Sequence, residues 1–228
     1  MSEDADLGRA LDIAWRFFFK RGFIDGFGHI SARTSDPNVV LVSRHSLGGD
    51  SSPKDFLTAD LAGKILTGEG RLPGEYALHA EIYKARPDVS SVAHFHCGYA
   101  TSFSMSEVEL KPSYFLASIF SNGIPIHPDP RFVNNVERGE ALAATLGKNR
   151  AALMKAHGVV VAGPDLKEMV GSAFILEDNA KRTWIAASMG KVHALEERTA
   201  REVEAEIFSH KGPFKRIWAL AESEYETG

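Results

Sequence analysis

A mostly antiparallel β-sheet covered by helices is the α/β architecture that this sequence predicts, on three observations. Amphipathic stretches of helical period alternate with short β-branched runs, without the regular strand–helix–strand beat of a parallel sheet. Paired apolar runs around Ala62-Gly63 and around His157-Gly158 read as hairpins, which join antiparallel neighbours. The 228 residues hold no Pro/Gly/Ser-rich linker, low-complexity tract or internal repeat, so residues 1–228 are expected to form a single domain.

The composition, 44% hydrophobic and 25% charged, is that of an ordinary globular chain. A formal net charge of −4 with mixed signs argues against a nucleic-acid footprint. The single cysteine, Cys97, excludes an internal disulfide and fits a reducing compartment; it reads as a small buried apolar residue. No apolar run approaches the roughly 18 residues that a membrane span requires. Glu3, Asp4 and Asp6 stand where a secretory signal needs positive charge, so a cytoplasmic location is expected.

The elements follow in order. Ala5 to Lys20 carries an apolar stripe of Leu7, Leu11, Ala14, Trp15, Phe18 and Phe19, which predicts an amphipathic helix stopped by Gly22. Gly26-Phe27-Gly28 is a flexible loop leading into a strand at His29-Ile30-Ser31-Ala32-Arg33; by residue chemistry alone this is a turn into an edge strand. Val39 to Ser43 is a short apolar strand, followed by Arg44 and His45, and Asp60 to Leu66 is a hairpin turning at Ala62-Gly63. Gly98 to Met105 reads as helix, as does Val136 to Leu146, closed by Gly147. Asp165 followed by Glu168 resembles a capping box. The helix it starts runs to Met189, with Met169, Ala173, Leu176, Ala180 and Trp184 on one side. Leu195 to Ser209 and Phe214 to Ser223 are two further helices.

The chain is organised around Leu72 to Gly98. Pro73 suits a helix start, and Arg86-Pro87 ends the helix, because the residue before proline is pushed out of the helical region. Glu75, His79, Ile82 and Tyr83 recur at spacings of three and four and share a helix face. Val89 and Val92 then lead a strand into His94-Phe95-His96. Alternate strand residues point the same way, so His94 and His96 converge while Phe95 packs behind them. The pair alone fits a divalent metal or two hydrogen-bonded histidines equally well. His157, at the tip of the last hairpin, adds a third imidazole, and Glu75 an adjacent acid/base.

Glu75, His79, Tyr83, Arg86-Pro87-Asp88, His94-x-His96, His157-Gly158 and the loop Gly28-His29-Ile30-Ser31-Ala32-Arg33 together resemble the class II aldolase/adducin family, from about Leu7 to Gly190. The resemblance implies a three-layer α/β/α fold with a central, mostly antiparallel sheet. It places His94, His96 and His157 on the three metal ligands. Zinc is the first expectation, with manganese, iron or cobalt as alternatives. Glu75 falls on the carboxylate that ligates the metal at rest or acts as acid/base. A homotetramer is implied, with a tyrosine from a neighbouring subunit protonating the leaving carbon; Tyr114 is the candidate.

Phosphosugar members of the family carry Gly-Asn in the first loop and paired small hydroxyl residues before the glutamate. Here Gly28-His29 and Pro73-Gly74 stand there, so the donors for a phosphate are missing. Gly28-His29-Ile30-Ser31 with Ser43-Arg44 resembles instead the branch of decarboxylases acting on hydroxylated aromatic or pyridine dicarboxylates. His29, Ser43 and Arg44 are then candidate substrate-binding residues. A guanidinium fork suits a carboxylate, and a solvated surface cation is the bland alternative for Arg44.

The expected function is a metal-dependent carbon–carbon lyase, a decarboxylase of a small non-phosphorylated hydroxy-carboxylate working through a metal-stabilised enolate. Aldol cleavage of a sugar or hydroxy-keto acid is the first alternative. A non-catalytic adducin-like binding module and a metal-dependent oxygenase are two more. A cupin would also show His-x-His, but the segment after His96 lacks its glutamate and the long helices do not suit an all-β barrel.

Overall fold

The structure, a computed structural model, describes residues 3–227. Met1, Ser2 and Gly228, which the single-domain expectation includes, lie outside the described residues, as do the side chains of Glu3, Asp4 and Ala5.

Eight strands form one sheet: β1 (His29–Arg33), β2 (Val39–Ser43), β3 (Phe56–Asp60), β4 (Ile65–Thr67), β5 (Ser91–Phe95), β6 (Ile126–His127), β7 (Ala151–Met154) and β8 (Gly158–Gly163). Their order is β4-β3-β2-β1-β5-β8-β7-β6, and every pairing is antiparallel except β6 with β7. Seven helices are described: α1 (Glu3–Lys20), α2 (Tyr76–Ala85), α3 (Gly98–Phe103), α4 (Val136–Leu146), α5 (Leu166–Met189), α6 (Glu197–Phe208) and α7 (Gly212–Glu226). None is long and apolar enough to cross a membrane.

The period-2 alternation of the strands splits the core in two. Ala93, Phe95, Val159 and Val161 point into one cluster with α1, α3, α5 and α7. Val92, Val160 and Ala162 point into the other, with α2 and α4. Both faces are therefore covered, which explains why the central strands read as nearly continuous apolar runs. This is the three-layer α/β/α arrangement.

The sequence expectations hold closely at several boundaries. α4 ends at Gly147, α5 ends at Met189, and the hairpins turn at Ala62-Gly63 and beside His157. Asp165 caps α5 through the Glu168 N–H, but the Glu168 carboxylate turns away to Arg150 and Lys211, so the reciprocal half of the capping box is not formed.

Four expectations need correction. β1 is an interior strand between β2 and β5, not an edge. Phe17, not Phe19, is buried, because α1 packs against α5 and α7 as well as the sheet, and the Phe17 ring lies 6.0 Å from that of Phe174. Trp184 is 56% exposed, resting on Tyr99 at the protein surface. α2 starts at Tyr76 rather than near Pro73; the Pro73 carbonyl accepts the Tyr76 N–H in a turn that leaves Glu75 as the N-cap.

Candidate metal centre

β1 and β5 lie side by side in the middle of the sheet, and His29 stands directly opposite His94. His29, Ser31, Val92 and His94 share the sheet face that α2 covers, by strand alternation. Gly28 makes the close pairing possible: it has φ +107°, and a Cβ there would lie 3.0 Å from the His94 carbonyl oxygen. The β7–β8 turn brings His157 over the same face. Gly158 follows it because a Cβ would sit 2.6 Å from the Phe95 carbonyl oxygen and 2.6 Å from the His96 ring.

The three imidazoles and Glu75 converge. His94 Nε2 is 3.1 Å from His96 Nε2 and 3.3 Å from Glu75 Oε2, and His157 Nε2 is 3.6 Å from the same oxygen. One ligand atom from each of Glu75, His94, His96 and His157 lies within 4.8 Å of all the others. The edge of a tetrahedron with ligands ~2.05 Å from a zinc ion is about 3.3 Å, so these separations fit a shared cation.

The donors fit it chemically as well. His94 Nδ1–H donates to the Val159 carbonyl at 2.9 Å, which leaves Nε2 with its lone pair toward the cluster. Burial pushes His94 below the ordinary histidine range and His96 down to about 4, so both rings are neutral ligands at physiological pH. His96 lies one residue past the end of β5 yet keeps the orientation expected from strand alternation.

Glu75 does not cap α2 with its side chain. Its Oε1 accepts the Val133 N–H at 2.7 Å, and its Oε2 faces the histidines. Burial alone would raise its pKa, but the imidazoles of His157, His29 and His94 around it hold it below the ordinary carboxylate range. The group is a carboxylate, anchored by one oxygen and free to act with the other.

A cavity of about 350 Å³ opens onto this cluster. Phe27 and Phe132 flank it, 69% and 51% exposed, with Arg44, His45 and Ser46 on its rim. Neither phenylalanine was a sequence candidate; a bulky apolar residue in a loop carries no sign of facing a cavity. Gly74 fits this wall, because a Cβ there would be 2.6 Å from the Phe132 ring.

Of the candidate substrate-binding residues, His29 and Arg44 line the cavity, and Ser43 does not. Ser43 is fully buried and its hydroxyl accepts the Ile30 N–H at 3.1 Å, tying β2 to β1. Arg44 Nε donates to Asp55 at 2.7 Å, while its two Nη groups meet no protein acceptor among the described residues. Tyr114 does not line the cavity of its own chain. Its hydroxyl is buried without a hydrogen-bond partner, its ring lies under the Arg182 guanidinium, and burial beside Asp178 pushes its pKa up.

Three histidines and a glutamate that could hold a metal ion meet on the central sheet of an α/β/α fold, and comparison with known proteins shows the family. The profile described as Class II Aldolase and Adducin N-terminal domain matches residues 10–184, and the chain belongs to this family. It is 28% identical over 186 residues to an L-fuculose phosphate aldolase of Methanococcus vannielii, covering 82% of this chain and 99% of the relative. It is 25% identical over 193 residues to a 3,4-dihydroxyphthalate decarboxylase of Rhodococcus jostii, covering 78% of this chain and 79% of the relative. An aldolase II superfamily protein from Pseudomonas syringae superposes with a TM-score of 0.88 at 21% identity, over 100% of this chain and 94% of its own, a likeness of fold. Of the two sequence relatives, one is named for an aldolase and the other for a decarboxylase.

Proposed function

We propose that the protein is a divalent-metal-dependent carbon–carbon lyase that decarboxylates a non-phosphorylated hydroxy-carboxylate. The observation that carries the reading is the wall of the cavity. Where family members acting on phosphosugars hold hydroxyl and amide donors, this chain has Pro73-Gly74 under the Phe132 ring, with Phe27 on the rim. Apolar ring faces offer no hydrogen bonds to a doubly charged phosphate, and Arg44 supplies one guanidinium for a substrate acid, which by itself does not tell carboxylate from phosphate. The similarity to a 3,4-dihydroxyphthalate decarboxylase supports the same choice.

His94, His96 and His157 would hold the metal, with Glu75 beside it; three imidazoles suit zinc, with manganese, iron or cobalt as alternatives. A cation there supplies Lewis acidity for the negative charge that develops on oxygen next to the reacting carbon. The chain's own groups do the rest. Arg44 holds a second acidic group of the substrate through its free Nη groups, leaving the hydroxyl and the departing carboxylate at the metal centre. Glu75 takes the proton of the substrate hydroxyl through Oε2. Glu75 then gives that proton to the carbon bearing the departing carboxylate; as the carbon–carbon bond breaks and carbon dioxide leaves, its electron pair returns to the conjugated hydroxyl oxygen, and one proton from water restores the hydroxyl. In a homotetramer Tyr114 would serve a neighbouring copy's site as a further acid only with its hydroxyl, buried in this chain, turned outward.

Metal-loaded protein should release carbon dioxide from a panel of hydroxy-carboxylates, and a chelator should abolish it. Aldehyde release without carbon dioxide favours the aldolase alternative. Arg44→Lys replaces a planar fork by a point charge, so KM should rise about tenfold with kcat little changed. An unchanged KM removes Arg44 from substrate binding.

A further inference from the structure

A buried row of polar side chains runs from the metal centre into the core, and the reaction above does not use it. His29 Nδ1 lies 2.6 Å from His79 Nε2, His79 Nδ1 lies 2.7 Å from Ser31 Oγ, and Ser31 Oγ lies 2.8 Å from the Tyr83 hydroxyl. His79, Ser31 and Tyr83 are all at most 1% exposed. The row follows from two periods meeting. His29 and Ser31 alternate on one face of β1, and Glu75, His79 and Tyr83 recur every fourth residue along α2.

The direction of its hydrogen bonds can be worked out. His29 Nδ1 and His79 Nε2 meet at 2.6 Å, a contact that needs one N–H and one lone pair, so the accepting ring is neutral. A neutral imidazole donates at one nitrogen and accepts at the other, so the whole row points one way. Suppose the protons point inward, His29 to His79 to Ser31 to Tyr83. The Tyr83 proton then has no acceptor among the described residues, because Ser31 Oγ is the one hydrogen-bond partner of that hydroxyl. His29 would also turn a lone pair toward the Glu75 carboxylate, 3.7 Å away.

Suppose instead that they point outward. Tyr83 donates to Ser31, Ser31 to His79 Nδ1, and His79 Nε2–H to His29 Nδ1. Every buried proton then has an acceptor, and the last one, on His29 Nε2, meets negative charge. Buried donors without acceptors are costly, so the outward direction wins.

We propose that His29 is a fixed neutral hydrogen-bond donor of the site, and that His79, Ser31 and Tyr83 are positioning residues that set its tautomer and its aim. The 3.7 Å to Glu75 Oε2 is longer than a formed hydrogen bond, and His29 lines the cavity, so its Nε2–H can take an anionic substrate oxygen. The ligand class is a carboxylate or an oxyanion derived from a hydroxyl. Only the identity of this acceptor rests on the proposed function; the tautomer does not.

Ring ¹⁵N shifts of histidine-labelled, zinc-loaded protein test the direction without turnover. The expected result is a single Nε2–H tautomer at both His29 and His79. An Nδ1–H tautomer at His29 overturns the proposal. Affinity for glycolate, the smallest hydroxy-carboxylate, tests the role. His79→Leu removes the donor to His29 and should weaken glycolate about tenfold, whereas His79→Gln keeps an amide N–H there and should stay within about twofold. Equal losses in the two variants reduce His79 to a packing residue and overturn its positioning role. Failure of the wild type to bind glycolate counts against the hydroxy-carboxylate reading, and the tautomers still decide the direction of the row.

Discussion

Glu75→Gln is expected to leave fold and metal in place and to lower turnover by about 10² to 10⁴, the usual range for a lost general acid/base. The amide is nearly isosteric, and its oxygen can still accept the Val133 N–H that anchors the side chain. What is lost is the proton-accepting Oε2, which faces His29, His94 and His157. The fall should appear in kcat, because binding of the substrate carboxylate depends on Arg44 and the metal. Steady-state kinetics on the best substrate of the panel read this directly, and near-normal kcat removes Glu75 from the mechanism.

Removing a histidine ligand should have the second large effect. His94→Ala and His157→Ala each leave two imidazoles, a poor site for zinc, and purified protein should contain well under one metal per chain by elemental analysis. The two variants should differ in stability. His94 is fully buried and its Nδ1–H holds the Val159 carbonyl, so its loss leaves that carbonyl and a cavity, at a cost of about 1–3 kcal/mol. His157 sits half-buried in a turn, with no partner on Nδ1, and its removal should be nearly neutral. Full metal occupancy in both variants contradicts the ligand assignment. The same assay separates an enzyme from an adducin-like module, which has no use for a stoichiometric metal.

The parts of the site that follow local periods were legible in the sequence. Strand alternation aims His94 and His96 at one point, and the hairpin puts His157 at a tip. Glu75 was placed on the right segment although it is an N-cap and not inside α2, because the side of a helix end differs little from that of its first turn. Long-range register was not legible. That β1 lies beside β5, with His29 opposite His94, depends on a pairing across some sixty residues of chain, and nothing local in either strand states it. Nor does any local pattern say that the Val133 N–H will reach Glu75 or that Phe132 will lie on Gly74. Ser43 shows the opposite error. A hydroxyl beside an arginine suggested substrate contact, but strand alternation turns neighbouring residues to opposite faces, and Ser43 is spent on the Ile30 N–H. The row from His29 to Tyr83 stood half-visible, since His79 and Tyr83 share a helix face with Glu75; its other half needed the sheet.

The most direct measurement of the central claim is kcat/KM of the zinc-loaded protein for hydroxy-carboxylates, including a dihydroxyphthalate, beside that for a sugar phosphate such as fuculose 1-phosphate. A cavity walled by Phe27 and Phe132, with one guanidinium and no phosphate cradle, predicts that a hydroxy-carboxylate is the better substrate and that carbon dioxide is the product. A higher kcat/KM for the sugar phosphate than for every hydroxy-carboxylate tested, with aldehyde as the product, would contradict it and make the protein an aldolase.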